Sequence, residues 1–352
     1  MPILLMIPFL AAAALAIPQP ARVRFWVDLG AVVATLMVAL SLPWQNAESV
    51  PLLRHDRLGM FAAIVVALAA VAPRFGRTRI AGQIALGGML LAGLSGHALL
   101  TVAALALAAA VALVPHIRAG WYRVPLCGAG LGLLLFGSIL PAAPLASGCA
   151  LLGLAALAVA VPELLPLLPF LALRFAGAEL VGVGLAGMLG CAMGVLLWPS
   201  DKNRLSWIAF GQAGVIALAF GLRSPDAIFA GVLLAVLLVL SQAARELAKG
   251  QGLAGLLASA GLAGLPPFGV FPGLALVILA TARQAPWLLV GVLPALAAMG
   301  WAVVARMPTP RIGATDRWSA AWVPLALALL VGFALPGPVT AWLHVLAREV
   351  AR

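Results

Sequence analysis

Acidic residues are scarce in this chain, with ten Asp and Glu against twenty-one Lys and Arg in 352 residues. Only 9% of the residues are charged while 64% are hydrophobic, and the mean hydropathy is +1.16. A soluble domain is roughly a quarter charged and half apolar. Water-soluble globules are therefore excluded, because too little polar surface exists to cover them. Lysine occurs only at Lys202 and Lys249, so nearly all the positive charge is arginine. The three cysteines, Cys127, Cys149 and Cys191, stand singly in apolar runs, without a CxxC pair or a Cys/His cluster. Disulfides, iron–sulfur clusters and structural zinc have no ligand set here. No glycine-rich nucleotide loop follows a strand pattern, and no haem or flavin ligand set is present. No cofactor is expected, and the chain is not itself a redox catalyst. The net charge of +11 does not mean nucleic acid: the basic residues sit in short gaps between apolar runs, where they act as topology signals.

What is abundant is long apolar sequence. Runs of roughly 17 to 25 residues can cross the hydrocarbon core. Candidates fall near 2–18, 25–43, 57–73, 80–96, 98–115, 124–141, 145–161, 177–198, 205–222, 227–244, 287–305 and 320–343. The first, beginning MPILLMIPFL, lacks a basic n-region and reads as a membrane helix rather than a cleaved signal. Two stretches are interrupted: 162–175 by Pro162, Pro166 and Pro169, and 252–283 by Pro266, Pro267 and Pro272. Arginine and lysine gather in alternate gaps, at Arg22/Arg24, Arg74/Arg77/Arg79, Arg118/Arg123, Lys202/Arg204, Arg245/Lys249 and Arg306/Arg311/Arg317. Positive-inside logic puts these gaps in the cytoplasm and both termini on the other side. Parity then requires an even number of crossings, about fourteen if both interrupted stretches cross once. The expected architecture is an all-α polytopic membrane protein, with N-terminal helices over 1–79, helical repeats over 80–198 and 199–305, and a C-terminal helix and tail over 306–352.

Interrupted helices in both halves are a sequence hint of inverted repeats. Proline removes a backbone donor and frees a carbonyl one turn upstream. In lipid that carbonyl must meet a neighbouring helix, a side chain or water. An ion pathway beside each break, at Pro166/Pro169 and at Pro266/Pro267, is one reading; a bare kink is the other.

Residues 261–271 read GLAGLPPFGVF, and residues 200–214 read SDKNRLSWIAFGQAG. Together they resemble the antiporter-like membrane subunits shared by respiratory complex I, multisubunit cation/proton antiporters and energy-converting membrane hydrogenases of the hydrogenase-4 and formate hydrogenlyase type. A looser match, SGHALLTVAALALAAAVALV at 95–114, resembles the helix that carries the family's buried glutamate. The resemblance implies two inverted five-helix repeats, each with a broken helix, and a line of buried ionisable groups that moves protons or sodium. It also implies partners: other membrane subunits of one complex, and a peripheral electron-transfer arm.

Set on the family pattern, Lys202 takes the lysine position, Trp207 the aromatic one and Gly214 the glycine. Most other ionisable positions are lost. Ala106 stands for the glutamate, 163–170 holds no lysine, Gln212 replaces a histidine, Gln242 a lysine, and Gly273 the charged residue after the prolines. The remaining candidates for an ion pathway are Lys202, Glu163, Glu179, Gln212 and Gln242. Glu163 reads either as a displaced proton carrier with a raised pKa or as a helix-capping carboxylate at the membrane edge. Glu179 is expected to pair with Arg174, Asp28 to see the interface near its helix start, and His97 to lie in a turn.

Four functions stay open at this stage. The chain is a membrane subunit of a complex I-like or hydrogenase-like assembly that conducts protons, or a structural member of that assembly which does not pump. A stand-alone secondary transporter and a membrane-embedded lipid enzyme are the others, the last disfavoured by the absence of acidic pairs. The expected location is the inner (plasma) membrane, as a multi-pass protein.

Overall fold

A computed structural model describes residues 2–44, 53, 56–70, 79–114, 122–140, 143–197, 201–248, 252–267, 269–305 and 320–351; for 2, 44, 79, 143–144, 201–206 and 252 the description is of backbone only. The described residues are helical, with no strand and one isolated bridge between Leu53 and Ser95. Ala and Leu, which lose little on entering a helix, dominate the runs. Most helices are hydrophobic on all sides, as expected for segments facing either a packed interior or lipid.

The chain divides into two compact units, 1–176 and 177–352. Unit 1 contains α1 (Pro2–Ala16), α2 (Ala21–Ser41), α3 (Arg57–Ala70), α4 (Arg79–Leu94), α5 (Ala98–Leu113), α6 (Arg123–Ile139), α7 (Ala143–Ala160) and α8 (Leu168–Phe175), with a 3₁₀ turn over Pro162–Leu164. Unit 2 contains α9 (Glu179–Leu197), α10 (Asp201–Gly221), α11 (Pro225–Leu247), α12 (Gly252–Leu262), α13 (Phe271–Gln284), α14 (Leu289–Val304), α15 (Trp322–Phe333) and α16 (Gly337–Ala351). The division at 176/177 leaves the 177–198 stretch, α9, with the second unit.

Four helical segments are long and apolar enough to cross a membrane: α2, α9, α11 and Pro286–Val304. The other apolar stretches among the described residues, Trp207–Gly221 of α10 included, run 10–17 residues, and α15 with α16 forms a pair bent by 69°. The run expected over 320–343 is thus a bent pair of helices, which is long and apolar enough to span only when taken together. The break falls at 334–336, where Pro336 denies a donor to the last turn of α15. Twelve residues of α15 rise only about 18 Å, short of a core of about 30 Å.

Small residues set the helix contacts. In unit 1, Gly130 of α6 faces Gly153 of α7 so closely that an added Cβ at Gly153 would sit 2.6 Å from the Gly130 carbonyl. In unit 2, Gly184 of α9 and Gly214 of α10 approach in the same way, with 2.6 Å from a Cβ at Gly184 to the Gly214 carbonyl. The glycine-rich runs at 128–137 and 182–194 therefore supply packing faces, the membrane use of small residues. At the centre of unit 2 stands α11, buried nearly throughout and packed against α10, α12, α13, α15 and α16. Many large apolar side chains point outward, Val290, Trp26 and Phe136 among them. In water such a surface would aggregate; against lipid it is the expected exterior.

Candidate functional site

The interruption between α12 and α13 is built by glycine and proline in succession. Helix α12 ends in a Schellman turn: Gly264 N–H donates to the Gly261 carbonyl at 3.2 Å, and Leu265 N–H to the Ala260 carbonyl at 3.0 Å. Gly264 adopts φ 82, the left-handed conformation this turn needs. Gly269, at φ 65, presses on the backbone of Gly261, where a Cβ would lie 2.4 Å from the nearest atoms. Val270 N–H closes the turn on the same Gly261 carbonyl at 3.0 Å. Pro266 and Pro267 lie between, joined by a cis peptide, and Pro272 opens α13 where no donor is needed.

Pro266 lies four residues after Leu262 and has no N–H to give to the Leu262 carbonyl. Gln212, fully buried on α10, supplies one instead: its Nε2 donates to that carbonyl at 3.3 Å. The amide of Gln212 thus takes over the satisfaction that proline withdrew. Its Oε1 is buried and accepts no hydrogen bond. Ser241 Oγ and Gln242 Nε2, on α11, are buried in the same condition. Helical rise separates Gln242 from Gln212 by about 12 Å along α11 and α10, so the two amides are distinct polar spots. Gly273, in the position of a family charge, meets the Leu234 backbone, where a Cβ would lie 2.9 Å from Leu234 Cα. No charged side chain fits there. Beside the break lies a cleft of about 450 Å³, lined by Gly264, Leu265, Phe271, Leu274, Trp301, Val304 and other apolar residues.

The other candidates lie elsewhere. Lys202 is on the first turn of α10, about 15 Å of helix from Gln212; its side chain falls outside the described residues. Glu179 is exposed at the first residue of α9, where its carboxylate accepts the Gly177 N–H at 2.8 Å. This is a helix N-terminal contact, favourable to a negative charge. Glu163 is half-buried in the Pro162–Leu164 turn of unit 1. Pro166 sits in the turn that follows, and Pro169 lies in the first turn of α8, where its missing N–H costs nothing. His97 is the extended residue preceding α5.

Unit 1 holds a polar cluster that sequence reading missed. Arg174, at the end of α8, pairs with Asp56 at 3.3 Å and donates to the Ser95 carbonyl at 3.2 Å. Asp56 also accepts the Gly59 N–H at 2.8 Å, capping α3. Ser95 Oγ lies 2.5 Å from Thr101 Oγ1, which extends the cluster to α5. Arg174, expected to pair with Glu179, is engaged here within unit 1. The partners stand 118 residues apart, so only the tertiary fold reveals them. Among the described residues, no group of three His, Cys, Asp or Glu is placed to hold a metal.

Three solved assemblies contain chains that fold in this way. A chain of respiratory complex I from Thermus thermophilus with bound aureothin aligns with a TM-score of 0.68 at 22% identity, over 95% of this chain and 98% of that one. A chain of the Mrp complex from Dietzia sp. DQ12-45-1b gives 0.78 at 17% identity, over 98% and 96%. A chain of the membrane-bound sulfane sulfur reductase, an archaeal respiratory membrane complex, gives 0.71 at 14% identity, over 99% and 97%. The chain shares the fold of these membrane-complex chains. The likeness runs the full length on both sides, and at these identities it is a likeness of fold. No protein-family model and no curated protein matches the sequence. With this fold and this composition the chain is an integral membrane protein.

Proposed function

We propose that the chain is a membrane subunit of a complex I-like or hydrogenase-like proton-translocating oxidoreductase assembly in the inner membrane. Its part at the proline-broken helix of unit 2 is to scaffold the ion pathway rather than to carry protons on titrating side chains there. The observation that carries this reading is the Gln212–Leu262 contact: the broken helix is kept, and its freed carbonyl is served by an amide that does not titrate. Among the described residues, the nine fully buried polar side chains are all Ser, Thr or Gln. A charge at the bilayer centre costs at least about 2.5–3.5 kcal/mol, so a chain released from pumping would be expected to shed such charges first.

The two inverted repeats are proposed to run over α4–α8 and over α9, α10, α11, the broken α12/α13 and α14. Each then holds a proline-broken element, and the boundary falls where the compact units divide. About fourteen crossings follow if 162–175 crosses as one short segment, with the basic gaps in the cytoplasm. The return of α8 to the end of unit 1 that holds Asp56 and Ser95 supports that crossing. The partners are other membrane subunits and a peripheral arm that carries the electron transfer.

A tagged copy purified in mild detergent, with mass spectrometry of what accompanies it, tests the assembly. Stoichiometric hydrogenase-like or complex I-like subunits are expected. A chain that purifies alone would overturn the subunit reading in favour of a stand-alone transporter.

A further inference from the structure

Asp28 does not sit at the start of its helix as a surface carboxylate. It lies about 10 Å along α2 from Ala21, half-buried, and meets Gln83 of α4, a side chain only 1% exposed. Gln83 Nε2 donates to Asp28 Oδ1 at 3.0 Å and lies 3.3 Å from the Asp28 carbonyl. The other end of the same amide, Oε1, is buried and accepts no hydrogen bond. Helix α1 packs on both α2 and α4 and contains no ionisable residue. Charged residues stand at the ends of the helices around the pair. Helix α2 carries Arg22 and Arg24 in its exposed first turn, and α4 carries Arg79 at its first residue. Helix α3 has Arg57 at its own start, beside the opposite end of α4.

We propose that Asp28 and Gln83 form a proton-binding site, separate from both proline-broken elements and opening toward the end that carries Arg22, Arg24 and Arg79. An ionised carboxylate only accepts hydrogen bonds, whereas a protonated one must also donate. A glutamine amide serves both states. With Asp28 ionised, Nε2 donates to Oδ1, the arrangement in the structure. When Asp28 takes up a proton, a half-turn of the amide brings Oε1 to the carboxyl, and the new O–H donates to it. The group that now accepts nothing is the one that binds the protonated form. The step is a proton gained or lost at one carboxyl oxygen, with no other bond changed. The two side chains supply only three oxygens, well below the roughly six that hard metal ions take, which favours a proton over a cation.

The site stands on unit 1 alone, so it is testable whether or not the chain belongs to an assembly. The experiment is infrared difference spectroscopy of the full chain in detergent across a pH titration. A carboxyl C=O band that grows on acidification is expected, lost in Asp28→Asn and retained at a new position in Asp28→Glu. Asp28→Asn keeps an amide–amide bond with Gln83, so it preserves the packing. A pH-difference spectrum in which Asp28→Asn removes no carboxyl component seen in the wild type would overturn the proposal. So would a band displaced by added sodium at constant pH, which would mark a cation site instead.

Discussion

In unit 1 the proline-broken stretch ends on Arg174, whose guanidinium pairs with Asp56 and ties α8 to the start of α3 and the turn before α5. In unit 2 the proline-broken stretch is held by Gln212, a neutral side chain with no exposed surface, bonded to one backbone carbonyl. The two breaks pose the same problem, an interrupted ladder among apolar helices, and are closed by different chemistry. The difference follows depth and solvation. Asp56 keeps 31% and Arg174 12% of its side-chain surface, so each retains part of its hydration. At Gln212 no such relief exists, and an unpaired charge would carry the full desolvation penalty. Among the described residues, the buried polar side chains of unit 2 are amides and hydroxyls. The scaffolding role proposed for the unit 2 break rests on that contrast.

The contrast can be broken most sharply at the turn itself. Gly269→Ala should destabilise by about 3–4 kcal/mol, combining a left-handed backbone penalty with overpacking against Gly261. Denaturation of the purified protein in mixed micelles measures it, and a small loss would mean that the turn has room to shift. Arg174→Ala removes the donor to the Ser95 carbonyl and the countercharge to Asp56, which keeps the Gly59 N–H, and a loss of about 3 kcal/mol is expected. Arg174→Lys should recover only part of it, because a point charge cannot bond both acceptors at once. Gln212→Leu returns the Leu262 carbonyl to its unsatisfied state but also removes the orphaned Oε1, so a loss of about 1 kcal/mol is expected. Were it as costly as Arg174→Ala, the two breaks would not differ as described. Ser241→Ala should be smallest, neutral or slightly stabilising, since Ser241 Oγ has no hydrogen bond to lose.

Much of the architecture can be read along the chain. Apolar length placed most helices to within a few residues, and Pro266–Pro267 marked the break in unit 2. The glycine-rich runs at 128–137 and 182–194 lie at the α6–α7 and α9–α10 contacts. The 334–336 break was missed because hydropathy averages across a single proline. Gln212 was reached through a family pattern, not through spacing. What it does there depends on Leu262, fifty residues on, and no local signal couples the two. Arg174–Asp56 and Asp28–Gln83 were missed for the same reason, as each joins helices whose pairing only the fold supplies. Charge placement along the chain says little about which charges meet.

The most direct test of the scaffolding role is proton translocation by the purified assembly in liposomes, with Gln212→Leu and Gln242→Leu combined in this chain. If the unit 2 break serves as scaffold, substrate turnover and the protons moved per turnover should both stay at the wild-type level. Intact turnover with translocation lost would contradict that role and put the two amides in the conducting path.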